Sequence, residues 1–288
     1  MNRRLVILAA VAVAAAMSAQ AEESPAHQAF FARPILLAAH RGGVNLWPEN
    51  TLIAYRNAAE TWPDILLEGD AQCTKDGHTV LLHDRTVDRT TNGSGRIADL
   101  TLAQAQSLDA GYRFTRDKGA TYPYRGQGIT IPTFAEALDA LPQSRFLIEI
   151  KNQTGVPEAI VRDIVAAKAF GRVILASFNP VLAAQVHRLN PNILTCYDVL
   201  EGVNMLVQLR SGHWAEYRPQ ADMLAIADDL IDAFRIEPGE IRAIQAKGIP
   251  VLVHTVNGPD AMRLYLAQGV DSVLTDYPER LAAVIGER

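Results

Sequence analysis

Cysteine is scarce in this chain: Cys73 and Cys196 are the two thiols among 288 residues. Neither belongs to a metal-ligand spacing, which sets aside zinc held through thiolates. The strands assigned below keep the two apart, so both read as buried free thiols. Basic blocks are missing, as is any interleaving of basic with aromatic residues. With a net charge of -5, nothing supports nucleic acid as a partner. No Gly-x-Gly-x-x-Gly follows the first strand, which argues against an open doubly wound sheet. Internal repeats are absent, and past the N-terminus no apolar run approaches the length that spans a bilayer.

What is present is an ordinary globular composition, 49% hydrophobic and 20% charged, at a length suiting one large α/β domain or two small ones. The first residues stand apart from it. Met1-Asn2-Arg3-Arg4 supplies positive charge, residues 5–17 are apolar, and Ala19-Gln20-Ala21 offers a small-residue cleavage site before Glu22. That is the layout of a secretory signal peptide over residues 1–21, too short in its apolar part for a membrane anchor. The expectation is an exported protein of the bacterial periplasm or beyond, residues 22–288, with no stable membrane insertion once the signal is removed.

Short β-branched and Leu-rich runs alternate with amphipathic helical segments through the rest. Candidate strands cover 35–40, 65–70, 145–151, 173–177, 193–197, 223–227, 250–256 and 272–276. Several are apolar throughout, as expected of parallel strands covered on both faces. Eight strand-helix units in this length predict a (β/α)8 TIM barrel. One unit is abnormally long. Residues of about 71–144 carry the turn Lys75-Asp76-Gly77, a strand at 79–83, the Gly/Thr-rich 90–95, a helix near 101–110 and a Gly/Tyr-rich stretch. They read as a small insertion after the second strand, lying over the barrel's C-terminal face.

Polar residues collect at the C-terminal strand ends, where a barrel builds its active site. Glu68 and Asp70 close the second strand one residue apart, so they project to the same face. Paired negative charges there are hard to justify as structure, and a hard divalent cation resolves the conflict. Glu149 and Lys151 repeat the design on the third strand. The three carboxylates can hold one cation, with Ca²⁺ favoured and Mg²⁺ possible. Arg41 and Lys151 can neutralise phosphate. His40 and His83, both beside charged residues at loop starts, suit acid/base catalysis. Glu49 and His254 are assigned with Arg41 and Lys151 to the substrate pocket, and Asn50 to the N-cap of the first helix.

These residues fall in motifs: His40-Arg41-Gly42, Pro48-Glu49-Asn50-Thr51, Glu68-x-Asp70, Thr74-Lys75-Asp76-Gly77, His83-Asp84, Arg89-Thr90-Thr91-x-Gly93-x-Gly95 and Glu149-Ile150-Lys151. In this order, and with the ending Thr275-Asp276-Tyr277-Pro278, the chain resembles the glycerophosphodiester phosphodiesterases. The resemblance implies a barrel with a small insertion, a divalent metal, and hydrolysis of glycerophosphodiesters to glycerol 3-phosphate and an alcohol. It places the metal ligands on Glu68, Asp70 and Glu149, the acid/base pair on His40 and His83, and the phosphate-contacting cations on Arg41 and Lys151. Relatives often carry Trp where this chain has His254.

Two other functions fit parts of the pattern. A lipid-directed phosphodiesterase, of phospholipase D or C type, would need an exposed apolar rim, and Tyr112, Phe114, Tyr122 and Tyr124 of the insertion are ambiguous as one. A periplasmic phosphodiester-binding protein would have no need of two histidines. A zinc amidohydrolase is disfavoured by the missing His-x-His pair on the first strand.

Overall fold

The apolar runs fold as strands β1 (Leu37–Ala39), β2 (Leu66–Cys73), β4 (Arg145–Ile150), β5 (Val173–Ala176), β6 (Leu194–Thr195), β7 (Leu224–Ala227), β8 (Val251–His254) and β9 (Ser272–Thr275). A short β3 (Thr79–Leu81) lies in the insertion. This is a computed structural model describing residues 24–151 and 153–287, so the expected signal segment 1–21 lies outside the described residues. The sheet order is β6-β5-β4-β2-β1-β9-β8-β7, and every pairing along it is parallel. A parallel bridge, Cys196 to Met223, joins its two ends. Two backbone bonds reinforce it, Tyr197 N–H to Met223 O at 2.9 Å and Asp222 N–H to Thr195 O at 2.8 Å. The sheet therefore closes as the expected eight-stranded barrel.

Side chains alternate across each strand, and one set fills the barrel. Ala38, Leu66, Leu147, Ile174, Leu194, Leu252 and Leu274 form a buried interior cluster. The residues two positions further along point the same way, toward the C-terminal mouth. On β9, β1, β2, β4 and β8 these are Asp276, His40, Glu68, Glu149 and His254. On β5, β6 and β7 the corresponding positions are Ala176, Cys196 and Ala225. One half of the mouth is thus charged and the other apolar.

The outer faces of the strands bury Leu67, Phe146, Ile148, Val173 and Val253 against the helices. Those helices are α2 (Leu52–Thr61), α4 (Phe134–Ala140), α5 (Val156–Ala166), α6 (Pro180–Leu189), α7 (Val199–Arg210), α8 (Asp228–Phe234), α9 (Pro238–Gln245), α10 (Pro259–Gln268) and α11 (Pro278–Gly286). Side-chain caps set several starts: Thr133 pairs with Glu136 on α4, and Asp198 with Glu201 on α7. None of the described helices is long and apolar enough to cross a membrane.

Several boundaries differ from the sequence reading, β1 starting at Leu37 and β2 running on to Cys73 among them. The strand expected at 193–197 pairs regularly only over Leu194–Thr195, because the chain turns early into the Asp198 cap of α7. The strand expected to 256 ends at His254. Thr51, not Asn50, caps α2, its hydroxyl accepting from Ala54 N–H. Cys73 and Cys196 are buried free thiols, as expected.

The insertion packs on a core of its own. β3 pairs antiparallel with the end of β2, Cys73 opposite Thr79, across the expected turn. Val80, Leu82, Val87, Ile97, Ala105, Ala110 and Ile131 form a separate buried cluster, which includes α3 (Leu102–Gln106) at Ala105. At the opposite end, α1 (Pro25–Phe30) plugs the barrel with Phe30, which is fully buried among the interior residues.

Arg145 holds that plug. Its guanidinium donates to the carbonyls of Phe30 (2.9 Å), Arg33 (2.7 Å), Pro34 (3.2 Å) and Asp64 (3.1 Å). Removing a donor strands buried carbonyls at a cost of roughly 1–3 kcal/mol each, reduced where water can enter. Arg145→Met is therefore expected to lower stability by about 3 kcal/mol or more, while sparing catalysis well below the melting point. Calorimetry checks it: an unchanged melting temperature would remove Arg145 from this role.

Candidate active site

Glycine between Glu68 and Asp70 is a steric requirement. A Cβ at Gly69 would lie 2.2 Å from the Tyr55 hydroxyl and 3.0 Å from Asn50 Oδ1. With the outward face of β2 left open, α2 comes close enough for Tyr55 OH to donate to Asn50 Oδ1 at 2.8 Å. Asn50 then donates to Asp70 Oδ2 at 2.8 Å and accepts from Asp70 N–H at 3.1 Å. Its φ of 55° is left-handed, a conformation Asn tolerates better than most residues. Asn50 is thus a clamp on Asp70 rather than a helix cap.

Asp70 is 1% exposed. Its Oδ1 lies 2.8 Å from Lys151 Nζ, which also lies 2.8 Å from Glu149 Oε1. Burial alone would raise the Asp70 pKa, but Lys151 and Arg41 outweigh it and hold it below the ordinary value. The pairing follows from register, since Asp70 and Glu149 are directly opposite on β2 and β4. Burial tends to deprotonate Lys151, yet Asp70 and Glu149 keep its pKa raised and its charge in place.

Glu68 is less well compensated. It accepts from Arg41 N–H at 2.7 Å, and His40 Nε2 lies 4.0 Å away. Burial, followed by the Asp70 charge, pushes its pKa up to about 7. Arg41 reaches it through a left-handed backbone, φ 52°, in a turn continued by Gly42 at φ 81°. Gly42 itself lies so close to α2 that a Cβ would meet Ala54 Cβ at 2.9 Å. The Arg41 side chain donates to Glu49 at 3.1 Å. Its Nε, 3.4 Å from Asp70 Oδ2, is buried without a hydrogen-bond partner. The Arg41 side chain thus turns its Nε inward, toward the buried Asp70.

Both histidines are oriented by carboxylates. His40 Nδ1 is 2.5 Å from Asp276 Oδ1, and Asp276 is held in turn by Asn257 Nδ2 at 2.7 Å. Because a carboxylate only accepts, Nδ1 carries the proton and Nε2 faces the mouth. Burial depresses the His40 pKa, but Glu68 and Asp276 more than reverse it, and the pKa is raised. His83 Nδ1 lies 2.7 Å from Asp84 Oδ1. Arg89 grips Asp84 at 2.7 Å and Glu49 at 2.6 and 2.8 Å, tying the insertion to the β1 loop. The Arg89 bond is the main reason the Asp84 pKa falls to about 2. Gln72, the next inward residue of β2, donates to the carbonyls of His83 (3.1 Å) and Asp84 (2.9 Å).

The structure therefore brings Arg41, Glu49, Glu68, Asp70, Glu149 and Lys151 into one connected network, with His40 beside Glu68. His83 joins through Asp84 and Arg89. Glu49 is committed to two arginines rather than left open to substrate. His254 stands at the edge of the charged half, where burial and then the His40 charge lower its pKa to about 4. Sequence reading assigned no role to Asp276, Asn257, Gln72, Arg89 or Tyr55. Asp276 was within reach of the alternation rule, since it follows the interior Leu274 by two.

Among the described residues, no three of His, Cys, Asp or Glu stand as a ready-made metal cluster. The donor chemistry nevertheless fits a hard cation. Glu68, Asp70 and Glu149 offer carboxylate oxygens at one level of the mouth, and Glu68 is a buried acid with no Lys or Arg side chain in contact among the described residues. Lys151 now bridges the other two.

A phosphodiester hydrolase on a barrel is the class this fold and site define. The sequence matches the model of the Glycerophosphoryl diester phosphodiesterase family over residues 40–280, and the chain belongs to that family. A glycerophosphodiester phosphodiesterase of Caldanaerobacter subterraneus is 30% identical, over 87% of this chain and 97% of the relative. One from Bacillus subtilis is 32% identical, over 85% of this chain and 84% of the relative. Among solved structures, a glycerophosphoryl diester phosphodiesterase domain from Mycobacterium tuberculosis superposes with a TM-score of 0.76 at 23% identity, covering 89% of this chain and 100% of that one. An Oleispira antarctica phosphodiesterase, solved with the product sn-glycerol-3-phosphate, gives 0.70 at 26% identity, covering 89% and 98%.

Two substitutions test the positioning. Asp276→Asn is expected to lower kcat by on the order of 10²-fold while KM moves far less; a wild-type kcat would show that His40 needs no such anchor. Gly69→Ala is expected to lower the melting temperature and kcat together, with partial recovery in Gly69→Ala/Tyr55→Phe, which removes the clashing hydroxyl. No recovery in the double variant would sink the packing argument.

Proposed function

We propose that the enzyme hydrolyses glycerophosphodiesters to glycerol 3-phosphate and an alcohol, in a metal-dependent reaction with His40 and His83 as the proton-transfer pair. The observation that carries this is the arrangement of two imidazoles, each tied through Nδ1 to an aspartate, beside a buried carboxylate cluster. One imidazole Nε2 takes a proton from the attacking water, and the other delivers one to the leaving alkoxide. The bond from phosphorus to the water oxygen forms as the bond to the alcohol oxygen breaks. The guanidinium of Arg41 and the ammonium of Lys151 neutralise the phosphate.

Glu68, Asp70 and Glu149 would hold one divalent cation, Ca²⁺ in preference to Mg²⁺, because all-carboxylate sites suit calcium's flexible geometry. Bound there, it would polarise a phosphate oxygen as a Lewis acid. The relatives' names, and the product held by the Oleispira enzyme, support the substrate class. Residues 1–21 direct export to the periplasm in this reading, so the enzyme meets water-soluble diesters there.

His40→Ala and His83→Ala are each expected to lose on the order of 10²–10⁴ in kcat. Chelation should abolish turnover, and Ca²⁺ should raise the melting temperature of the chelated wild type but not of Asp70→Asn. Full activity after exhaustive chelation would overturn the metal assignment. Glycerophosphocholine and glycerophosphoethanolamine should be cleaved within about tenfold of each other, and diacyl phospholipid vesicles negligibly; the reverse pattern would favour a lipase.

A further inference from the structure

The charged half of the mouth accounts for the phosphate, but half the mouth is not charged. At the level of Glu68 and Glu149, β5, β6 and β7 present Ala176, Cys196 and Ala225. Together with Leu206, Ala227 and His254 they line a cleft continuous with the catalytic site, because His254 belongs to both. Phe178 forms its rim, 61% exposed, with its ring 6.4 Å from that of His254. Val199 and Val203 of α7 continue the rim at 50% and 40% exposure.

A second hollow, lined also by Val207, Arg210 and Ser211, shares Val203, Leu206 and Phe234 with the first. The apolar track therefore runs along α7 from Val203 to Arg210, about 10 Å at the helical rise. It begins inside the catalytic mouth rather than on a remote face.

The chemistry of the track selects its occupant. Asp198 is the carboxylate in its lining, and it is spent on the start of α7, accepting from Glu201 N–H at 2.9 Å. The Tyr197 hydroxyl is likewise taken up, by Tyr217 at 3.1 Å and Gln220 N–H at 3.1 Å. Asp228 and Asp229 act on His254 at the edge of the cleft but do not line the track, so a cationic head group seated along α7 would lose water with no carboxylate in the lining beyond the capping Asp198. Glycerol, with two free hydroxyls, is matched by the hydrogen-bonding groups of the opposite, charged half rather than by this track. That leaves the apolar track to the other arm of the diester.

We propose that the β5–β7 half of the mouth binds the alcohol arm as an uncharged aliphatic chain, making glycerophosphodiesters of alkyl alcohols the preferred substrates. The inference rests on the hydrolase reading above and names the arm that reading leaves open. Phe178, Val203 and Leu206 are then its specificity-determining residues.

The test is a series of glycerophosphodiesters with ethyl, butyl and octyl arms, assayed below any aggregation threshold beside glycerophosphocholine. Burial of each methylene should raise kcat/KM by up to about fourfold, and by at least about tenfold from ethyl to octyl. Phe178→Ala, and separately Val203→Asp on the exposed face of α7, should lower the octyl value about tenfold more than the ethyl value. A flat series, a preference for the choline diester, or variants that keep the full slope would overturn the cleft assignment and leave the hydrolase reading standing. Absence of turnover for every diester would overturn that reading, and this one with it.

Discussion

Burying Glu68 and Asp70 two residues apart on one strand sets a charge problem that the rest of the site is arranged around. Two carboxylates at such spacing repel strongly once water is withdrawn. Asp70 is neutralised locally, by Lys151 from β4 at 2.8 Å, by Asn50 at 2.8 Å and by the nearby guanidinium of Arg41. Glu68 has a backbone N–H and a nearby imidazole instead, and its pKa rises accordingly. The imbalance leaves one acid covered and one open to a further positive charge. The displaced helix cap and the open face at Gly69 serve the covered one, while the left-handed turn at Arg41 brings a backbone N–H to Glu68.

The barrel was legible because parallel strands covered on both faces are apolar throughout, and eight such runs separated by helices admit few architectures. The charged strand ends were legible for the same reason, since Glu68, Asp70, Glu149 and Lys151 interrupt otherwise unbroken apolar runs. What could not be read were partners set by distant packing. Asp276 meets His40 across 236 residues, and nothing near either residue announces the other. Asn50 and Thr51 are both good capping residues, and local preference cannot choose between them. The choice is made by Tyr55 and Gly69, which draw Asn50 onto Asp70.

The two halves of the mouth show how one fold carries both tasks. The strands around β1 and β2 hold charges that must be fixed to fractions of an ångström, so each is tied by at least one short bond. The strands β5 to β7 carry small and apolar residues that make few directional contacts. Shape there depends on α7 and its Asp198 cap, not on a hydrogen-bond network. Electrostatics governs one half and volume the other.

Strand β2 outlasts the barrel. Its pleat carries Glu68, Asp70 and Gln72 on one side without interruption, the last of them holding the His83–Asp84 segment by its carbonyls. Gly69 keeps the reverse side clear for α2. The strand thus works as a ruler that sets the spacing between the acids and the insertion's histidine. A single residue gained or lost within it would reverse every side chain beyond that point, turning acids outward and the gap at Gly69 inward. Natural variation in this family should therefore accumulate as substitutions along β2, with changes of length displaced past Cys73 into the loops of the insertion.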